Sequence, residues 1–467
     1  MEIPILTGIY TDSGPDMRVS YPVNLVPTVQ PSGVSNSYLR PGDGILPLGT
    51  GPGVDRGGIE WLGVCYRVMG TKLVSIAADG TTTILGDVGS GGQVTIVYDF
   101  ERLAIASGGR LYYWNSASGV QQVTDPDLGT VLDVAWIDGY FMTTDGESLV
   151  VTSILDPFSV NPFKYASSQA DPDAVVAVIR LRNEIYAVNT STIEVFDNIG
   201  GDLFPFARIE GAQMQKGAVG THAVTPFLGA LAFVGGGRNE APSVHIGANG
   251  ETRKIATQEI DRILEDYDST ALANVLVEAR NDKGHSHLYI HLPDRTLVYD
   301  AGASGELGQP VWFVLTTAIS GYQQYLARNF VYCYQRWLVG DPSSNRHGYL
   351  DDQVSTHWGE DVRWEFGTQI VYNKGQGVIF HEMELSALTG RVALGADPVI
   401  RTSYSLDGET WSQDKSISAG KIGNRLKRLV WYRQGAMRNF RIQRFQGDSQ
   451  SHISIARLEA RLEPLSF

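Results

Sequence analysis

Cysteine is almost missing: Cys65 and Cys333 are the only two in 467 residues. Two thiols make neither a disulfide scaffold nor a four-cysteine zinc site, and so low a count suits an intracellular folding environment. Charge is thin, at 19%, but 43% of residues are hydrophobic, which is globular composition and not that of a disordered chain. No run of about 18 apolar residues occurs, so no transmembrane helix and no membrane insertion by this chain are expected. The opening MEIPILTGIYTDSG has no basic segment followed by a long apolar run, so no signal peptide is expected. Helix periodicity is scarce. GxSxG, P-loop, HExxH and CxxC patterns are all missing, and the GGGR at Gly235 lacks the strand-to-helix context of a phosphate loop.

What is plentiful is glycine, 52 residues, together with 10% aromatics, a composition of short strands and tight turns. A unit recurs in which an apolar strand meets a Gly/Asn/Asp turn and a second strand often ends in an aromatic. Its copies start at Tyr66, Arg102, Gly139, Asn183, Gly229, His287 and Arg336, at spacings of 36, 37, 44, 46, 58 and 49 residues. Each spacing has room for three or four strands. Small twisted sheets that are apolar on both faces cannot stand alone, and packing them radially buries those faces. The fold class read from this is all-β: a β-propeller of about seven irregular blades over 58–353, preceded by an extended leader, 1–57, that contributes to closure or subunit contacts. Several β-sandwiches in a row are the rival reading. Cys65 and Cys333 fall in the outermost units and are expected to be neighbouring free thiols if the ring closes. The one strong helix signal, Thr257 to Ala279 with Thr257 as N-cap, reads as an insertion between the fifth and sixth units.

Beyond Gln353 longer strands alternate polar and apolar residues, as in VRWEFGTQIVYN and RNFRIQRFQ, the pattern of a β-sandwich or jelly roll, placed at 354–467. Charge divides between the parts. Residues 415–467 hold 11 basic and 3 acidic groups, whereas residues 1–414 hold 26 basic and 48 acidic, a net of −22. Such a body repels nucleic acid at long range, and the basic tail could draw an acidic partner.

Three constellations invite a chemical reading. His285, His287 and His291 share one parity on a strand, the spacing that would aim imidazoles at one metal, but three histidines on a wet strand face are expected to be merely polar. SLDGETW, Ser405 to Trp411, resembles the Asp-box hairpin of sialidases with one residue missing, a structural turn in which Trp411 would pack beneath Asp407 and Gly408. Asp351 and Asp352 adjoin in a turn and point apart, unlike a catalytic pair held across a substrate. No catalytic residue, cofactor or metal is expected. The alternatives kept beside a structural role are a sialidase-like propeller glycan hydrolase and a glycan-binding module presenting aromatics such as Trp114 and Trp358.

The leader matters most for identity. VNLVP followed by Tyr38-Leu39-Arg40-Pro41-Gly42, then PFKYASSQADPDAVVAV (Pro162–Val178), STIEVF, MQKGAVGTHAVTPF, APSVHI and IHLPDRTLVYD come in an order that resembles the tail hub, or nozzle, proteins of short-tailed bacteriophages, also called packaged-DNA-stabilisation proteins. The likeness covers roughly residues 20–315. It implies a virion tail subunit, made in the host cytoplasm, that assembles as a ring of six. The ring would extend the portal and adaptor channel, retain packaged DNA and dock a tail needle or plug and tailspikes or fibres, while double-stranded DNA passes without sequence recognition. On the residues themselves, the leader's prolines and glycines set an extended path without a core of its own. Asn24 is expected to bond local backbone and hold a turn, and Tyr38 and Leu39 to anchor the ribbon in apolar grooves. Other candidate contact surfaces are the basic strands Lys421–Arg444, with Arg425, Lys427 and Arg428, and the insertions Gly200–Phe206 and Ser304–Pro310.

Overall fold

The computed structural model describes all residues except 12–16, 31–33, 155, 169–171, 202–203 and 466–467. Seven four-stranded antiparallel sheets follow one another along the chain. Their first strands are Asp55–Trp61, Thr95–Tyr98, Asp133–Ile137, Val175–Leu181, Val224–Phe227, Leu276–Asp282 and Arg328–Cys333. Each lies against the next, and the seventh lies against the first, so the sheets close into a β-propeller of seven blades. The repeat read from the sequence is the central hairpin of each blade, strands two and three. In six of the seven blades the first and second strands are joined by a two-residue turn, and in blade 2 by residues 99–102. In Leu62-Gly63, Asp138-Gly139, Leu228-Gly229 and Lys283-Gly284 both residues have positive φ, the turn whose twist matches paired strands.

Blade 7 is completed from far away in sequence. Its outermost strand is Gly44–Thr50, paired with Arg346–Asp351 in a register that sets Ile45 opposite Leu350. The rest of the leader goes elsewhere. Glu2–Ile3, Leu25–Thr28 and Tyr38–Pro41 join Val378–Leu388, Leu429–Tyr432, Ala436–Met437 and Ser454–Pro464 in a seven-stranded sheet. That sheet faces a five-stranded one built from Arg363–Gly367, Val371–Tyr372, Val399–Ser405, Lys415–Ser418 and Phe440–Asp448, and the two form a β-sandwich. Apolar residues show why the leader takes this path. Ile3, Ile5, Leu25 and Leu39 enter the sandwich core, Tyr21 and Val23 the core of blades 4–6, and Val26 and Ile45 the core between blades 6 and 7.

The helical insertion is shorter than its periodicity predicts. It splits into α1 (Gln258–Glu265), capped by Thr257, and α2 (Ser269–Ala273), capped by Asp268. Asp268 takes the Ala271 N–H and restarts the helix, while Ala279 lies in the first strand of blade 6 because Val275 and Val277 are claimed by that core. The insertion at Ser304–Pro310 carries a third helix, α3 (Ala301–Leu307), begun by an Asp300 cap and ended by Gly308 at φ 68°. Cys65 and Cys333 are free, buried and in one core cluster where blade 7 meets blade 1.

Candidate assembly interface

The leader crosses the chain where propeller and sandwich meet. Val23 bridges both sides: its N–H donates to Glu365 O at 2.8 Å on the sandwich, and the Val314 N–H of blade 6 donates to Pro22 O at 2.9 Å. Asn24 sits next to it at φ 52°, a conformation that asparagine tolerates better than most residues. Its side chain does not hold a local turn. Nδ2 donates to Thr316 O at 2.9 Å and Arg363 O at 2.7 Å, and Oδ1 accepts from Thr316 N at 3.0 Å. One buried amide thereby ties leader, blade 6 and sandwich together. Leu39 is fully buried in the sandwich core and Tyr38 half-buried beside it, so the apolar groove they fill is intrachain. Asp43 finishes the crossing against Arg40 at 2.9 Å and the buried Arg280 of blade 6. Burial alone would raise the Asp43 carboxyl, but the two guanidiniums outweigh it and hold it well below the usual range.

Of the basic residues singled out on the C-terminal strands, two are spoken for within the chain. Lys427 Nζ donates to Ser418 Oγ at 2.9 Å, and Arg428 Nε donates to Glu384 Oε1 at 2.7 Å, holding the Glu384 carboxyl low. Arg425 is exposed, next to Leu426, which is 97% exposed. Leu388, Leu394 and Ile422 are exposed on the same tip, where the Gly423 N–H donates to Gly390 O at 3.1 Å and joins the two loops. The tip, aliphatic and rimmed by Arg425, Lys421 and Arg391, is an exposed surface of mixed apolar and cationic character.

A second exposed apolar surface was not legible in the sequence. The first turns of the blades all lie on one face of the propeller, and there Phe100 is 89% exposed, with Leu62 and Leu228 also exposed. Leu62 and Leu228 hold φ near 50°, which bulky side chains rarely adopt. Inside this rim lies the mouth of the propeller axis, a cavity of about 350 Å³ lined by Ile59, Tyr98, Phe100, Trp136, Ile179 and Pro226. Phe100 stands edge-on to Trp136 at 5.6 Å, and Arg180 lies over the same indole at 5.4 Å.

The constellations weighed for chemistry have structural settings. His287 and His291 are buried and His285 half-buried, so the expected wet strand face is corrected: that face packs between blades 6 and 7, with Tyr289 against Phe330 at 4.6 Å. The Asp-box-like hairpin lies in the sandwich. Asp407 Oδ1 accepts from Glu409 N, Thr410 N and Ser405 Oγ, which places its carboxylate inside its own turn. Trp411 is half-buried with Arg444 over its ring at 4.2 Å and does not lie sealed beneath the turn. Asp352 pairs with Lys283, whereas Asp351 accepts from Gln353 N at 2.7 Å. Trp114 and Trp358 are buried. A groove of about 360 Å³ between leader, α1 and sandwich gathers Arg18, Arg295, Arg444, Glu259 and Glu365, but these groups have partners. Arg295 grips Asp294 at 2.7 Å and stacks on Tyr322, Arg444 donates to Ser403, Arg18 bonds Tyr10, Glu259 accepts from Tyr10 and Glu365 from Arg363. The insertion Gly200–Phe206 and the segment Pro162–Val178 lie partly outside the described residues.

Comparison with known proteins follows the same division into two bodies. A family model described as the β-propeller of bacteriophage P22 Gp10 matches residues 1–355, and one described as the β-sandwich of the same protein matches residues 363–463. The chain is 28% identical over 484 residues to the tail hub protein gp10 of Salmonella phage P22, covering 99% of each. Among solved structures, the Pan2 WD40 domain of Neurospora crassa is similar with a TM-score of 0.43 at 10% identity, over 66% of this chain and 95% of that one. The N-terminal domain of Nup159 is similar with a TM-score of 0.40 at 8% identity, over 75% and 98%.

Proposed function

This chain belongs to the P22 Gp10 family, and from that premise we propose that it is a tail hub: a structural, non-enzymatic subunit of the tail of a short-tailed phage, carried in the virion. The observation that carries the reading is a match that takes in both propeller and sandwich and spans 99% of the P22 tail hub. Copies close into a ring of six around a passage that continues the portal and adaptor. A closing ring needs two different patches on each subunit. The aliphatic and cationic tip of the sandwich and the apolar rim of the propeller face, on separate bodies, meet that need.

The duplex runs between copies and not through a propeller, whose inner strands crowd side chains such as Phe100 and Trp136 together at the mouth. Lys and Arg facing the passage would grip phosphates in a salt-dependent way, so the net −22 of residues 1–414 suits a wall along which a polyanion moves freely and is read without regard to sequence. Retention of packaged DNA falls to the ring with a needle or plug at its far end, and tailspikes or fibres take the outer surfaces. Among the described residues no helix is long and apolar enough to cross a membrane. The hydrolase reading loses its motivating feature, because the Asp-box-like hairpin lies in the sandwich with its carboxylate bonded inside the turn.

Light scattering of the purified chain, alone and with tail-less heads, tests the reading. Ring-sized mass or saturable binding to heads supports it. A strictly monomeric chain that leaves heads unbound overturns it, and imaging of the virion tail then shows which protein fills the position.

A further inference from the structure

Blade 6 contains a group of side chains with no evident task in closing the ring. Its second strand, His285–His291, pairs with the third, Thr296–Asp300, in a register that sets His287 directly opposite Asp300. His285 lies two residues earlier on the same face, and the two imidazoles stack with centroids 5.0 Å apart. Asp300 Oδ2 receives both: His285 Nδ1 at 2.6 Å and His287 Nε2 at 3.3 Å. The three ligand atoms lie within 4.8 Å of one another.

We propose that His285, His287 and Asp300 bind a zinc ion, with water from the solvent side completing the coordination. A tetrahedral zinc with bonds of about 2.0–2.1 Å sets neighbouring ligand atoms about 3.3 Å apart, the spacing already held by His287 and Asp300. His285, at the strand end and half-buried, needs to withdraw by less than about 1 Å. Two imidazoles and one carboxylate favour zinc over calcium or magnesium, which prefer oxygen ligands.

Outer contacts fix the ligands. His287 Nδ1 faces Tyr289 OH at 3.3 Å, the ring packs edge-on to Phe313 at 5.3 Å, and Asp300 Oδ1 accepts the Ala303 N–H at 3.1 Å at the start of α3. Charge points the same way. The Asp300 side chain is fully buried, and its ionic partners among the described residues are these two imidazoles alone. Arg280, opposite His287 on the neighbouring strand, is committed to Asp43 and Asp282, and Asp282 is the residue opposite His285 in the pairing. A buried carboxylate without a permanent cation is costly, and a divalent ion removes that cost.

The test is equilibrium dialysis of the chelator-stripped full-length chain against zinc, with cobalt absorption reporting tetrahedral geometry. One metal per chain is expected, tight at micromolar zinc. His285→Ala and His285→Gln each weaken it at least about 100-fold, the upper range for losing an outer contact alone, while His381→Ala, at an exposed histidine far along the chain, leaves it unchanged. Circular dichroism confirms that the variants remain folded, and His285→Gln keeps a donor for Asp300 where alanine does not. No uptake at 100-fold that zinc concentration by folded wild type, or equal uptake by wild type and both His285 variants, overturns the proposal.

Discussion

Blades 2 to 6 and the pair formed by blade 7 and the sandwich are made of similar strands yet are completed in opposite ways. In blades 2 to 6 all four strands are consecutive in sequence, so each sheet is specified by its own hairpins. Blade 7 borrows a strand from about 300 residues upstream, and the sandwich borrows three. The joints also carry buried polar chemistry, as Asn24 does between leader, blade 6 and sandwich. At the seam between blades 7 and 1, Arg67 and Asp55 form a fully buried pair at 2.7 Å, joined by Asn329 at 2.6 Å. The difference shows that local pattern builds the repeating wall, while long-range polar contacts set where it ends.

The contrast can be broken most completely by removing residues 1–50. Cooperative melting of blade 7 and the sandwich should vanish, and hydrogen exchange should find residual protection in blades 2 to 6 alone; equal loss everywhere would abolish the distinction. Next in size, Arg67→Ala should cost about 3–5 kcal/mol in urea denaturation, because it leaves Asp55 buried without its partner. A pH series sharpens the comparison further. Burial, aided for His347 by the charge of Arg67, depresses His347 to about 4, and burial depresses His357 to about 3, both from 6.5. Each is neutral in the folded state, so its contribution is intact above 6.5 and is lost as pH falls toward those values. His347 lies on the blade 7 strand that receives the leader, and His357 bridges to Ile45. Asp133, in blade 3, is raised by burial from 3.8 to about 6, so its contribution is fully present below 3.8 and lost as pH rises through 6. Between pH 6.5 and 4 exchange protection, corrected for intrinsic rates, should fall around 344–358 and not around Asp133. The smallest effect separates two properties of one residue. Asn24→Gly loses the three amide bonds, Asn24→Ala loses them and also strains φ, and alanine should be the less stable by about 1 kcal/mol.

The central hairpins were legible because each carries its own turn chemistry and apolar strands, which is why seven units could be counted from sequence. The destination of the leader was not, because nothing within reach of Asn24 in sequence announces Thr316 and Arg363 as its partners. His285 and His287 were visible by their parity, but the Asp300 that joins them comes from the next strand and doubles as a helix cap. Phe100 passed unnoticed because an aromatic at a turn tip looks like one more strand end. The helix over Thr257–Ala279 was overextended because its apolar spacing continues into residues that the blade 6 core claims.

The strand that seals blade 7 is synthesised well before the strand it pairs with. At roughly 5–20 residues per second, the ribosome emits Gly44–Thr50 tens of seconds before Arg346–Asp351. Throughout that interval the nascent chain carries an unmatched ribbon of apolar side chains. A chain cut short before Arg346 lacks the partner of that ribbon, so blade 7 cannot be sealed until its own hairpin has been made.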